Sequence, residues 1–261
     1  MKRISGTLLG LVCLLVALWL VAPTLVVVPM SFNEKKSLAF PPAGFSLAWY
    51  ENFFANPAWF GSFTTSLNVA VIVAVLATAL GTAAAIGIDK MRNRAAGVIR
   101  AVLITPMIVP GVVLAIGIYA VYLDQHLVGT YVGYVLAHTM LAIPFVLIAV
   151  GANLSVFDER LETAAASLGA SRLATFRTIN LPLLAPGILS GMLFAFVTSF
   201  DEIIVSLFIN SPQLKTLPVQ IFSSMTRDAD PTITAVGTLL FFATTTIIGL
   251  GLLVGTRMRR K

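Results

Sequence analysis

Leu161-Glu162-Thr163-Ala164-Ala165-Ala166-Ser167-Leu168-Gly169, followed after nine residues by Ile179-Asn180-Leu181-Pro182, is a polar island in an otherwise apolar chain. Asp158 can cap a helix start, because a short carboxylate accepts bonds from the free N–H groups of a first turn. Glu159 and Glu162 then stand near the positive end of the helix dipole. Leu161, Ala164, Ala165 and Leu168 recur at helical spacing and predict one narrow apolar stripe. Gly169 supplies the left-handed residue that ends a helix. Ser171 can cap a second short helix in which Leu173 and Phe176 share a face, and Pro182 is expected to stop it from running straight on. On periodicity alone this is an amphipathic loop packed against the chain's own span ends.

The surrounding sequence decides the fold class. The chain has 261 residues, of which 58% are hydrophobic and 11% charged, whereas soluble domains carry about 25% charged residues. About 20 apolar residues cross a ~30 Å hydrocarbon core as a helix. Windows at about 7–30, 63–88, 98–123, 130–152, 187–209 and 235–255 meet that requirement. The expectation is an all-α integral membrane protein, a single transmembrane domain over 1–261, with six spans and the polar loop at 153–186. Of 17 basic residues, 13 flank the chain ends and the second-to-third and fourth-to-fifth connections; Lys35, Lys36, Lys215 and Arg227 fall on the other side. Basic loops stay cytoplasmic, so both termini are expected inside, and the net charge of +6 reflects topology rather than a nucleic-acid partner. The first window is longer than a signal-peptide core and reads as a retained anchor. Cys13 stands alone, which excludes an intrachain disulfide. His126 and His138 show no metal-ligand spacing and read as packing or interfacial residues, so no metal site is expected.

Other punctuation is weaker. The 31–62 loop carries Pro41-Pro42, Gly44 and the aromatic run Trp49 to Phe54, a pattern suited to a headgroup-level helix. Pro106 and Pro110 must kink or break the third span. Gly81 in the second span, and Gly187, Ser190 and Gly191 in the fifth, permit close helix contact.

With Ala164, Ala165, Gly169, Ile179, Leu181 and Pro182 all in register, the island resembles the signature loop of binding-protein-dependent ABC importer permeases of the type I fold. In that family the loop docks on a separate ATPase. The resemblance implies ATPase coupling through Leu161, Glu162, Ala164, Ala165, Leu168, Gly169, Ile179, Leu181 and Pro182. The family's glutamate aligns with Thr163, while Glu162 precedes it by one residue, so the salt link expected of the motif is absent or shifted. Phe200-Asp201-Glu202, Thr216 to Ser223 and Asp230-Pro231-Thr232 resemble the spermidine/putrescine branch, which also contains permeases for other small amines and amino-phosphonates. Implied partners are a homologous second permease, an ATP-binding subunit dimer, an extracytoplasmic solute-binding protein and the lipid of a bacterial inner membrane. ATP and magnesium would bind the ATPase; this chain has no phosphate loop, needs no cofactor and is not expected to be an enzyme.

For the solute path the sequence offers Ser199, Phe200, Asp201 and Glu202 in the fifth window, and Met107 in the third. A charge at the centre of a membrane helix costs ~2.5–3.5 kcal/mol and normally faces a cavity or a partner. Helical neighbours lie about 100° apart, so Asp201 is assigned to a protonated amine and Glu202 to a polar contact with a neighbouring helix. The competing expectation is that both pair with basic residues of a partner or hydrate at the outer interface. Diamine permeases of the branch tend to carry an acid where Met107 stands, which makes a monocationic or zwitterionic amine a competitor. A gradient-driven carrier and, behind it, a channel are the remaining alternatives; neither would require the loop.

Overall fold

The structure, a computed structural model, describes residues 2–91, 93–158, 160–227 and 229–258. All regular elements among them are helical: α1 (Lys2–Met30), α2 (Ala48–Ala55), α3 (Pro57–Asp89), α4 (Ala95–Ile108), α5 (Gly111–Asp124), α6 (Tyr131–Leu154), α7 (Arg160–Ser167), α8 (Arg172–Thr175), α9 (Leu181–Phe200), α10 (Ile204–Ile209), α11 (Leu217–Arg227) and α12 (Thr232–Met258). Glu159, Arg92 and the basic residues Arg259, Arg260 and Lys261 lie outside the described residues. Four segments are long and apolar enough to cross a membrane: Gly6–Met30, Pro57–Asp89, Tyr131–Leu154 and Arg172–Phe200. The pair α4 and α5 makes a fifth if its halves count as one span. The sixth window falls within α12, whose Thr232–Ile247 part is a shorter apolar segment.

The structure meets one sequence expectation, the break at the prolines of the third window, and changes two. The third window is two helices meeting at 103°. Pro110 has no N–H and forces Val109 out of the helical region, to φ −67° and ψ 134°. The fifth window does not run as one helix: α9 ends at Phe200, residues 201–203 are non-helical, and α10 starts at Ile204. Asp201 and Glu202 therefore lie in a break, not mid-helix. Pro182, expected to end the second loop helix, instead lies inside a continuous run from Arg172 to Phe200. A π turn at Phe176–Asn180 absorbs it, with the Leu181 N–H reaching back five residues to the Phe176 carbonyl. The wider turn relieves the clash that a proline ring makes with the preceding turn of a regular helix.

The chain folds as two units, one formed by the residues up to Phe60 together with those from Gln220 onward, the other by Gly61–Val219. In the first, α12 packs on α1 and α2. Asp230 caps α12, its Oδ1 accepting from the Thr232 amide (2.9 Å) and hydroxyl (2.7 Å) while Oδ2 accepts from the Trp59 indole (3.2 Å). The 31–47 segment is tied to α2 by the Trp49 indole donating to the Asn33 carbonyl (2.6 Å) and by Ser31 bonding Tyr50 (2.6 Å).

The second unit is built on α6, which is capped by Thr130 and packs most extensively against α9. The close approach to α6 is visible at three small residues, Gly81 of α3 and Gly187 and Gly191 of α9. A Cβ on Gly81 would lie 2.7 Å from Val146 Cβ, one on Gly191 would lie 3.1 Å from Val146 Cα, and one on Gly187 would lie 2.9 Å from the Ala149 carbonyl. Hydrocarbon supplies no hydrophobic drive between helices, so close backbone approach carries the packing. Val69, Val73, Tyr134, Val150, Val205 and Ile209 complete the buried centre.

Candidate functional site

The loop between α6 and α9 is locally determined. The Asp158 carboxylate accepts from the Arg160 amide at 2.9 Å and starts α7. Gly169, at φ +84°, closes it: the Ala170 N–H bonds the Ala165 carbonyl and the Gly169 N–H bonds the Ala166 carbonyl, both at 3.0 Å. That pair of bonds is the Schellman arrangement, which needs a left-handed residue where Gly169 stands. Ser171 caps α8 by accepting from the Ala174 amide at 3.3 Å.

The predicted stripe divides. Ala165 is buried, whereas Leu161, Ala164 and Leu168 are exposed, Leu168 at 89%. Leu173 is exposed as well, so an apolar surface made by α7 and α8 is left uncovered by this chain. Ile179 is half-buried in the π turn, and Leu181 and Pro182 are exposed at the start of α9. Behind that surface, Glu162 Oε1 accepts a 2.6 Å bond from Asn180 Nδ2, and Oε2 pairs with Lys90 Nζ at 3.3 Å. Glu162 thus joins the end of α3 to the π turn that leads into α9. A cleft of about 230 Å³ opens beside it, lined among others by Asp89, Lys90, Thr163 and Asn180.

The second cluster lies at the α9–α10 break. Gly111, the first residue of α5, meets Ile204, the first of α10: a Cβ on Gly111 would lie 3.1 Å from Ile204 Cδ1, so both broken helices restart side by side. The Asp201 amide bonds the Val197 carbonyl at 3.0 Å as the last turn of α9, and its side chain is exposed. Glu202 turns inward: its two oxygens accept from the Val205 and Ser206 amides, each at 2.8 Å, which satisfies the open N-terminus of α10. Glu202 Oε2 also lies 3.6 Å from His138 Nε2 on α6. Ser199 is buried, its hydroxyl 2.9 Å from His138 Nδ1, so it supports the break from behind. Phe200 stacks on Phe196 at 5.8 Å and meets Phe63 edge-on at 6.4 Å. Met107, next to Pro106 on α4, is exposed.

Among the described residues no three His, Cys, Asp or Glu side chains converge as metal ligands. Sequence reasoning did not foresee the partners of Lys90, Asn180, His138 and Ser206. For His138 the signal was present, a histidine inside an apolar span, but its partners come from residues 61 and 68 positions away.

The sequence profile described as binding-protein-dependent transport system inner membrane component matches residues 77–260. The chain is 31% identical over 239 residues to the spermidine/putrescine transport system permease protein PotC of Haemophilus influenzae, covering 90% of this chain and 91% of that protein. It is 32% identical to the putrescine transport system permease protein PotI of Escherichia coli, covering 86% of this chain and 82% of that one. In fold it is similar to a chain of a bacterial ABC transporter involved in import of the acidic polysaccharide alginate, with TM-score 0.69, 15% identity and coverage of 98% and 96%.

Proposed function

The chain belongs to the family of binding-protein-dependent transport system inner membrane components, and on that premise we propose that it moves a small, polyamine-like amine inward. Membership makes it a permease subunit of an ABC importer, a multi-pass protein of the inner membrane and not an enzyme. The remaining elements of the reading are ours. Six spans with both termini cytoplasmic suit the distribution of basic residues, 13 against 4. The 158–182 loop then faces the cytoplasm, where the exposed Leu161, Ala164 and Leu168 present a small apolar surface to an ATP-binding subunit dimer. Glu162 and Ala165 stand behind it, Gly169 closes α7, and motion passes through the π turn at Ile179 into Leu181 and Pro182 at the start of α9. A homologous second permease completes the pore, and a solute-binding protein delivers cargo from outside; ATP and magnesium are held by the ATPase.

One observation carries the solute assignment: at the α9–α10 break Glu202 is occupied by two amides, while the neighbouring Asp201 carboxylate is exposed. An exposed carboxylate held at a break between half-helices is suited to a protonated amine passing it. The names of the relatives favour a polyamine. A second reading, a monocationic or zwitterionic solute such as an amino-phosphonate or amino acid derivative, is favoured by Met107 and by the engagement of Glu202. Both leave a single acid at the break.

The test is ATP-dependent uptake of radiolabelled putrescine by vesicles containing the whole importer, with spermidine and a monoamine as competitors. Replacing Asp201 by Asn should raise half-saturation about tenfold or more, since a hydrogen bond to a charged group contributes ~1.5–3 kcal/mol. Unchanged half-saturation removes Asp201 from the path. Competition by the monoamine but not by spermidine selects the second reading.

A further inference from the structure

Glu202 caps the start of α10 locally, but that cap does not by itself end α9 at Phe200. Residues Phe200 to Ile209 contain no proline and no glycine, and their apolar run continues the helix pattern. The chain nevertheless breaks at 201–203. The break coincides with one side chain from another helix. His138 of α6 is completely buried, with Nδ1 2.9 Å from the Ser199 hydroxyl in the last turn of α9. Its Nε2 is 3.1 Å from the Ser206 hydroxyl in the first turn of α10 and 3.6 Å from Glu202 Oε2. Tyr134, one turn earlier on α6, holds the imidazole edge-on at 5.7 Å between ring centroids.

We propose that His138 is a positioning residue for the solute site: it holds the α9–α10 break in place and thereby sets the direction of the Asp201 carboxylate. Buried polar nitrogens are costly unless partnered, and both imidazole nitrogens have partners on opposite sides of the break. A ring bonded on two edges fixes the distance between Ser199 and Ser206. Glu202 then turns back onto the α10 amides, beside the ring. Without the ring, the run from α9 gains by pairing its amides in a continuous helix, which rotates Asp201 away and frees Glu202. The inference rests on Asp201 meeting the amine, as proposed above.

The experiment uses the complete importer in vesicles with radiolabelled putrescine, comparing D201N, H138F and H138Q. Phenylalanine keeps much of the volume without the nitrogens; glutamine restores a donor and an acceptor. We expect H138F to raise half-saturation about tenfold with little change in maximal rate, the mark of lost binding rather than lost turnover, and H138Q to restore most of it. A loss of maximal rate alone, or unchanged half-saturation, overturns the proposal. Should H138F not accumulate in the membrane, S206A decides, with an expected rise of about threefold and an unchanged value overturning the proposal. If D201N moves half-saturation and H138F does not, only the role of His138 fails; if D201N does not, the amine-site reading fails first. A second arm needs no solute. In a C13A chain, V205C should be protected from a methanethiosulfonate reagent, because Val205 is 1% exposed, and H138F should relieve that protection. Protection that persists in H138F overturns the inference whatever solute is carried.

Discussion

Asn180 Nδ2 donates a 2.6 Å bond to Glu162 Oε1 and so ties the short helix α7 to the π turn at the root of α9. Asn180 is buried, with 6% of its surface exposed, and Glu162 is its partner from the loop. The same carboxylate meets Lys90 at 3.3 Å, but there the lysine side chain is 58% exposed. The two contacts differ in weight for that reason. A hydrogen bond from a buried donor to a charged acceptor contributes ~1.5–3 kcal/mol, while exposed ion pairs contribute about 0–1 kcal/mol.

Replacing Asn180 by Ala should therefore uncouple the importer more than replacing Lys90 by Ala. We expect N180A to lower uptake per ATP hydrolysed by about tenfold and K90A by less than about twofold. Simultaneous measurement of uptake and hydrolysis in vesicles checks this. A larger loss in K90A than in N180A would show that the ion pair, not the buried bond, carries the link.

Gly169 has φ +84°, and nothing beyond its chain neighbours lies within 4 Å of where a Cβ would stand. G169A thus has a backbone cost and no steric one, about 1–2 kcal/mol from the left-handed conformation. Hydrogen exchange should show α7 opening about five- to thirtyfold more often in G169A, with α9 unaltered. Unchanged protection of α7 would mean the cap is dispensable.

His126 occupies the same kind of position without being glycine: φ is +54°, and the Leu127 N–H bonds the Tyr122 carbonyl at 2.9 Å across the end of α5. The side chain is exposed. H126G should raise stability by about 1 kcal/mol, read as a higher thermal midpoint in detergent. A lower midpoint would reveal a side-chain contact that outweighs the backbone strain.

Gly191 and Gly117 separate packing from propensity. A Cβ at Gly191 would meet Val146 Cα at 3.1 Å, whereas nothing lies within 4 Å of one at Gly117. G191V should destabilise by about 1–3 kcal/mol through overpacking, and G117A should be neutral or stabilising by about 0.5–1 kcal/mol. Thermal unfolding of both variants decides it; equal effects would locate the α6–α9 contact elsewhere.

Asp158, Gly169 and Ser171 were legible as caps because capping is local: donor and acceptor lie within a few residues, and the residue types announce the geometry. The break at Pro110 was legible for the same reason, since proline acts on its own turn. Pro182 was misread because a π turn can absorb a proline, and which of the two happens depends on what the next helix packs against. The stripe Leu161, Ala164, Ala165 and Leu168 was correctly periodic, yet periodicity cannot say which of its members face the chain and which face outward.

The sequence by itself determined a helical membrane protein with a capped polar loop, because hydrocarbon admits only segments that satisfy their own backbone and caps are short-range. Its motif residues identified the family. The tertiary structure alone decided that Glu202 lies beside His138 while Asp201 stays exposed, and that His138, Asn180 and Lys90 find partners on other elements. Those outcomes depend on contacts between residues 61 to 72 positions apart for His138 and Lys90, and 18 apart for Asn180. No local propensity encodes such pairs; they form only when close packing at Gly81, Gly187 and Gly191 brings the helices together.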